Sequence, residues 1–248
     1  MNFKDSFAKF RHHWKVLLSD HVFKVSFYTG VLLLTGAYLV DFIASIYKDS
    51  QTYISVGDLL LDNIPTFNLE FVFMWVMLGL TLLIFIYPVF FKPELVPFTI
   101  KCYAALLYVR SFCILLTNVG PPHGFYFDSY KLGQNILDDM IFRNDLFFSG
   151  HTAFPFLAFL VFRDSKIKWI FLAGSILEGT TVLLMHVHYS IDVVAAFFIA
   201  YGTYSACRKI FHPLTMRFST SIKLYGWDAM QKLKEITNLS TNGNDKNG

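Results

Sequence analysis

Charge is what this sequence has least of. Only 16% of its 248 residues are Asp, Glu, Lys or Arg, against 54% hydrophobic and 18% aromatic. That balance excludes a soluble globule and points to an integral membrane protein. Cysteine is scarce as well, and Cys102, Cys113 and Cys207 all fall within apolar stretches. An odd count in such segments does not suggest a disulfide framework and reads as small packing residues. No His-Glu-x-x-His motif occurs, and His186 and His188 alternate, which on a helix makes them diverge. Zinc is therefore a weak reading, and no cofactor is expected. The basic residues flank apolar runs without forming a patch, so no nucleic-acid partner is expected. The first apolar run exceeds the length of a signal-peptide core and reads as a retained span.

What is present is a series of apolar stretches near 22–46, 69–91, 97–119, 147–162, 168–187 and 189–210. A spanning helix needs about 20 apolar residues. The expected fold is an all-α, six-transmembrane-helix bundle, with the fourth span short. It divides into a membrane domain over 22–211, an amphipathic segment over 1–21 and a tail over 212–248. In the first segment Phe3, Phe7, Phe10, Trp14 and Leu17 recur at helical spacing, as in a helix lying on a leaflet. Lys and Arg concentrate before the first span, in the second and fourth connections and after the last span. The connections near 47–68 and 120–146 hold mainly aspartates. By the positive-inside rule both termini are expected in the cytoplasm, with loop 120–146 on the other face.

The candidate chemistry lies between Phe147 and Asp192. Ser149-Gly150-His151 sits where a helix should begin, and free N–H groups at helix starts favour phosphate. His188 and Asp192 are four apart, one face of a helix, so the carboxylate can fix the imidazole tautomer. Arg110 lies inside a span, where a cation costs at least ~2.5–3.5 kcal/mol and must meet an anion. Two readings of it stand: a partner for a carboxylate from another helix, such as Asp41 or Glu178, or a bidentate phosphate clamp. Asp41 reads as interfacial or functional, and Glu178, ~15 Å along its helix from Lys168, as a structural carboxyl or a supporting one. Counted from the cytoplasmic boundary, Arg110 lies ~20 Å up, His151 ~18 Å, Asp192 ~24 Å and His188 ~30 Å. These levels define one zone in the outer half of the membrane. Aromatics at 125–127 in the long outer loop read as an interfacial belt or as a cradle for a cationic headgroup.

At these residues the chain resembles the sphingomyelin synthase branch of the type-2 phosphatidic acid phosphatase superfamily. Three elements carry the likeness: Asp145-Leu-Phe-Phe-Ser149-Gly150-His151-Thr152; His186-Val-His188-Tyr189-Ser-Ile-Asp192-Val193; and Arg110 with Thr117 and Pro121 closing a span. It covers roughly 105–205. The resemblance implies His188 as nucleophile oriented by Asp192, His151 as acid and base, and Arg110, Ser149 and Gly150 around the phosphate. Asp145, His186, Tyr189 and Glu178 are candidate supporting residues. Where phosphatase relatives carry an arginine six residues before the nucleophile, this chain has Val182, and their Lys-x6-Arg-Pro motif is absent. Fewer cations suit a phosphodiester better than a dianionic monoester. The implied activity is transfer of a phospho-headgroup from a glycerophospholipid to ceramide or a similar lipid alcohol, with membrane lipids as partners. A lipid phosphate phosphatase or phospholipase-C-like hydrolase would use the same residues with water as acceptor. A non-enzymatic lipid-binding protein is the third class, against which intact His151, His188 and Asp192 argue.

Overall fold

A computed structural model describes residues 3–126, 146–227 and 229–235. The described residues are helical with connecting loops. Helices α1 (Phe3–Ser19), α2 (His21–Asp49), α3 (Met77–Phe91), α4 (Val96–Leu116), α5 (Gly150–Val161), α6 (Lys168–Leu184) and α7 (Ser190–Tyr225) follow in order. A π-helical stretch, Val72–Val76, leads directly into α3. The segments His21–Asp49, Val72–Phe91, Pro93–Leu116 and Ser190–Phe211 are long and apolar enough to cross a membrane. The chain is thus an integral, multi-pass membrane protein. Helices α5 and α6, with 12 and 17 residues, are shorter than a full span.

Why α2 packs where it does follows from residue size. Phe23, Gly30, Ala37 and Ala44 recur every seven residues and are all buried. A Cβ on Gly30 would sit 3.3 Å from Ile100, and one on Gly36 would sit 2.7 Å from the Tyr108 hydroxyl. Small residues let α2 and α4 approach closely, the usual device where lipid supplies no hydrophobic drive between helices. The outward face of α2, including Leu32, Leu39 and Ile43, stays exposed as lipid contact requires. The main core lies among α3–α7, around Ile84, Leu106, Leu157, Phe171 and Ala200.

Helix α1 does more than lie on a surface. Trp14 donates its indole N–H to the Val89 carbonyl at 3.1 Å, and Phe10 stacks on Phe90 with ring centroids 5.3 Å apart. Leu17 closes a cluster with Phe23 and Phe218. The inner members of the apolar stripe therefore pin α1 to the ends of α3 and α7, while Phe7 remains exposed. Helix α7 continues past 211 to Tyr225, 36 residues in all, or ~54 Å at 1.5 Å per residue. Its second half provides the surface onto which α1 docks.

Candidate active site

The site is built where α5 and α7 begin. Ser149 is extended (φ −67°, ψ 117°) and caps α5, its Oγ accepting the Thr152 N–H at 3.3 Å. The Ser149 N–H in turn donates to the Asp192 carbonyl at 3.1 Å, stitching the start of α5 to the first turn of α7. Phe147 (φ 131°), Phe148 (φ 30°) and His186 (φ 52°) are the non-glycine residues with positive φ among the described residues. All three lie within the two histidine motifs. Each such conformation costs on the order of 1–3 kcal/mol, and strain of this kind concentrates at functional sites.

His188 and Asp192 do meet, but not as two positions on one helical face. Helix α7 starts at Ser190, with Tyr189 extended before it, so His188 precedes the helix. Asp192 lies in the first turn and reaches back. Its Oδ2 accepts the Tyr189 backbone N–H at 3.1 Å and His188 Nδ1 at 3.2 Å. The physical reason is capping: the first N–H groups of a helix lack intrahelical acceptors, and an acidic residue in the first turn satisfies one and suits the helix dipole. His188 Nδ1 is thereby engaged, which makes Nε2 the ring nitrogen left for chemistry. Both side chains are buried.

His151 stands one residue into α5 and stacks on Phe73, centroids 3.9 Å apart and planes inclined 23°. Phe73 belongs to the π-helical stretch, a local widening often found at functional sites. Arg110 reaches the same place: a Cβ on Gly150 would lie 3.4 Å from its Nε. A glycine there keeps the guanidinium against the start of α5. Arg110 also donates from Nη1 to Asp41 Oδ1 at 3.0 Å and Oδ2 at 2.8 Å. Ser111 Oγ adds a hydrogen bond to Asp41 Oδ1 at 3.1 Å. Of the two carboxylates considered for Arg110, the contact is with Asp41, not Glu178.

The supporting candidates separate. His186 turns away, its Nδ1 donating to the His123 carbonyl at 2.9 Å. It latches the segment after α4, where Gly124 at φ 77° allows the close approach. Tyr189 donates its hydroxyl to the Gly120 carbonyl at 2.8 Å and accepts the Val56 N–H at 3.2 Å. Glu178 is fully buried on α6, and neither carboxyl oxygen has a hydrogen-bond partner among the described residues. Its neighbours on that helix, Ser175 and Gly179, face Thr152: Ser175 Oγ donates to the Thr152 carbonyl at 2.8 Å. Asp145, and the aromatic cradle beyond Tyr126, lie outside the described residues.

Two positioning groups have no clear signal in the sequence. Asp58, which reads there only as loop charge, accepts the Ser190 N–H at 2.7 Å with Oδ2, and the N–H groups of Leu60 and Leu61 with Oδ1 at 2.9 and 3.2 Å. Partial burial acts to raise this carboxyl. The hydrogen bonds from Ser190, Leu61 and Leu60 together outweigh it and hold Asp58 below its ordinary pKa. An aspartate opening a tight turn is a capping signal; its partner 132 residues away is not legible in sequence. Lys48 is fully buried, donating to Asn118 Oδ1 at 2.7 Å and lying 4.4 Å from the Tyr53 ring centre. It ties α2 to the segment after α4.

The assembly defines a class: two histidines, an aspartate and an arginine gathered at the mouths of membrane helices. Residues 144–209 match the family model described as PAP2 superfamily C-terminal. That segment contains His151, His188 and Asp192 but not Arg110. The match points to lipid-phosphate chemistry of the phosphatase or transferase type. No curated protein and no solved structure matches the chain.

Proposed function

We propose that this protein is a membrane phosphotransferase of the sphingomyelin synthase type, moving a phospho-headgroup from a glycerophospholipid to ceramide or a similar lipid alcohol. The observation that carries the reading is the His188–Asp192 contact at 3.2 Å, which engages Nδ1 and leaves Nε2 as the nucleophile. Nε2 attacks phosphorus, forming the N–P bond as the P–O bond to diacylglycerol breaks. His151 gives its proton to the departing oxygen. In the second half His151 takes the proton of the acceptor hydroxyl, the new O–P bond forms and the N–P bond breaks. Arg110 and the N–H groups at Gly150 and His151 hold the non-bridging oxygens.

The reading extends to a six-span bundle in which α5 and α6 complete the membrane domain. Both termini are cytoplasmic and the active site lies in the outer half. Support for transfer over hydrolysis comes from Val182, which is fully buried among Phe73, Met185 and Val187, where phosphatase relatives carry a cation. A dianionic monoester lacks that counter-charge here. The second reading, a lipid phosphate phosphatase or phospholipase-C-like hydrolase, differs only in the acceptor. Purified protein in nanodiscs, given headgroup-labelled phospholipid and ceramide, is expected to place the label on ceramide. Label released only into water would replace the transferase with the hydrolase.

A further inference from the structure

The basic residues at the ends of the spans stand apart in sequence, yet the fold gathers three of them. A cavity of ≈ 530 Å³ opens between the end of α5 and α7, lined by Arg163, Tyr201, Tyr204, Ser205, Arg208 and Lys209. Among the described residues no carboxylate borders it. Arg163 makes one long ion pair, Nε to Asp164 Oδ2 at 3.7 Å, with a carboxylate side chain that is 91% exposed. The side chains of Tyr204, Ser205, Arg208 and Lys209 make no hydrogen bond or ion pair among the described residues. Tyr204 is the clearest signal: it is only 8% exposed, and its hydroxyl has no such partner. A buried hydroxyl beside three weakly countered cations is costly to assemble unless an anion completes the group.

The cavity is remote from the histidines. Helices α5 and α7 both begin at the candidate active site, whereas Arg163 follows the end of α5 and Arg208 lies ~24 Å along α7 from Asp192. Arg208 and Lys209 fall in the last turn of the segment Ser190–Phe211, which is long and apolar enough to cross a membrane. They therefore stand where acyl chains give way to headgroups. On the same helix Val194, Phe198, Tyr201, Ser205 and Arg208 recur at spacings of four, three, four and three, which places them on one face. Val194, Phe198 and Tyr201 are all exposed. An apolar rail thus runs into a cationic cavity, and a phospholipid has the matching form: chain along the rail, phosphate at its end.

We propose that this cavity is a second lipid site, which binds an anionic phospholipid whose headgroup carries a phosphomonoester. Three cations match a dianionic phosphate better than the single charge of a diester. Arg163 and Arg208 offer planar forks to its oxygens, Lys209 a point charge and Tyr204 a hydroxyl donor. The volume lies in the range of small-molecule sites and exceeds what a lone phosphate fills, so a phosphorylated polyol headgroup fits. Bound there, the lipid bridges α5 and α7, the two helices whose starts carry His151 and Asp192. The inference does not depend on the phosphotransferase reading, because none of these residues belongs to the histidine site.

The experiment compares three probes on the purified chain in detergent, with binding followed by microscale thermophoresis. They are a short-chain phosphatidylinositol monophosphate, the corresponding phosphatidylinositol without the monoester, and soluble inositol bisphosphate without acyl chains. Wild type should bind the first at least about 10-fold more tightly than the second, the worth of one charge-assisted contact. Arg208→Gln combined with Lys209→Gln should remove that preference, while Lys223→Gln, further along α7, should leave it unchanged. Tyr204→Phe should weaken the monophosphate lipid about 2–12-fold, the loss of one neutral hydrogen bond. Phe198→Ala should weaken the lipid but not the soluble bisphosphate. Monophosphate-lipid binding indifferent to the Arg208 and Lys209 changes would place it elsewhere, the histidine site included, and overturn the proposal. Soluble bisphosphate binding as tightly as the lipid would make this a site for free phosphates and overturn the lipid assignment. Tyr204→Phe removes a single oxygen and keeps the ring against Phe98, so it tests the cavity even where the double change lowers yield.

Discussion

Arg110 holds both oxygens of Asp41 through one nitrogen, Nη1, at 3.0 and 2.8 Å, joining α4 to α2 beside the first turn of α5. A largely buried cation on an apolar helix is thus neutralised by a carboxylate from a neighbouring helix, while its Nε lies against Gly150. The pair is structural and the site is adjacent, so the two contributions of Arg110 are separable by mutation.

Arg110→Lys keeps the charge and loses the planar fork. Folded yield should stay near wild type while kcat/KM falls about 10–150-fold, the loss of one charge-assisted contact. Arg110→Met strands the Asp41 carboxylate and should lower folded yield, measured by size-exclusion chromatography. Adding Asp41→Asn should recover yield without recovering turnover. Activity restored in that double variant would reduce Arg110 to a structural residue.

His188→Ala should abolish both turnover and the covalent phospho-enzyme, detected by labelled-headgroup trapping. Asp192→Asn is expected to fold and to lose about 10⁴ in kcat, by analogy with the orienting carboxylate of a Ser-His-Asp triad. Near-normal rates in either variant would remove the pair from the mechanism.

Asp58 anchors the start of α7 through Ser190, two residues after His188. Asp58→Ala should cost about 0.5–2 kcal/mol of stability, as cap removal does, and should lower kcat more than it changes donor KM. Because the folded pKa of Asp58 is depressed, its contribution is complete above the ordinary aspartate value. It is lost only as pH falls through the lower, folded one. Acid unfolding of Asp58→Asn, followed by near-UV dichroism, should therefore lack this group's share of the pH dependence. Identical acid curves for wild type and Asp58→Asn would count against the anchoring role.

Topology is tested by single cysteines at Ser129 and Ser240 in a cysteine-free background. An impermeant maleimide applied from outside should label the first and not the second. The sequon Asn238-Leu239-Ser240 should correspondingly stay unglycosylated. The opposite labelling pattern would invert the membrane orientation.

Much of this protein follows from local sequence physics. Apolar runs of span length set the all-helical class, because a backbone in lipid must satisfy its own hydrogen bonds. Ser149 before Gly150 marks a helix start, since a capping hydroxyl replaces a missing acceptor. The four-residue spacing of His188 and Asp192 announces contact, although the contact is made by a capping carboxylate reaching back and not across a helical face. Tertiary structure alone decided which carboxylate meets Arg110, because sequence constrains only the charge and depth of a partner. It alone turned His186 to His123, placed Phe73 over His151 and brought Asp58 to Ser190. Those contacts join residues many tens of positions apart. They arise from how α2, the π-helical stretch before α3 and the loops after α2 and α4 close around the starts of α5 and α7, which no window of neighbouring residues encodes.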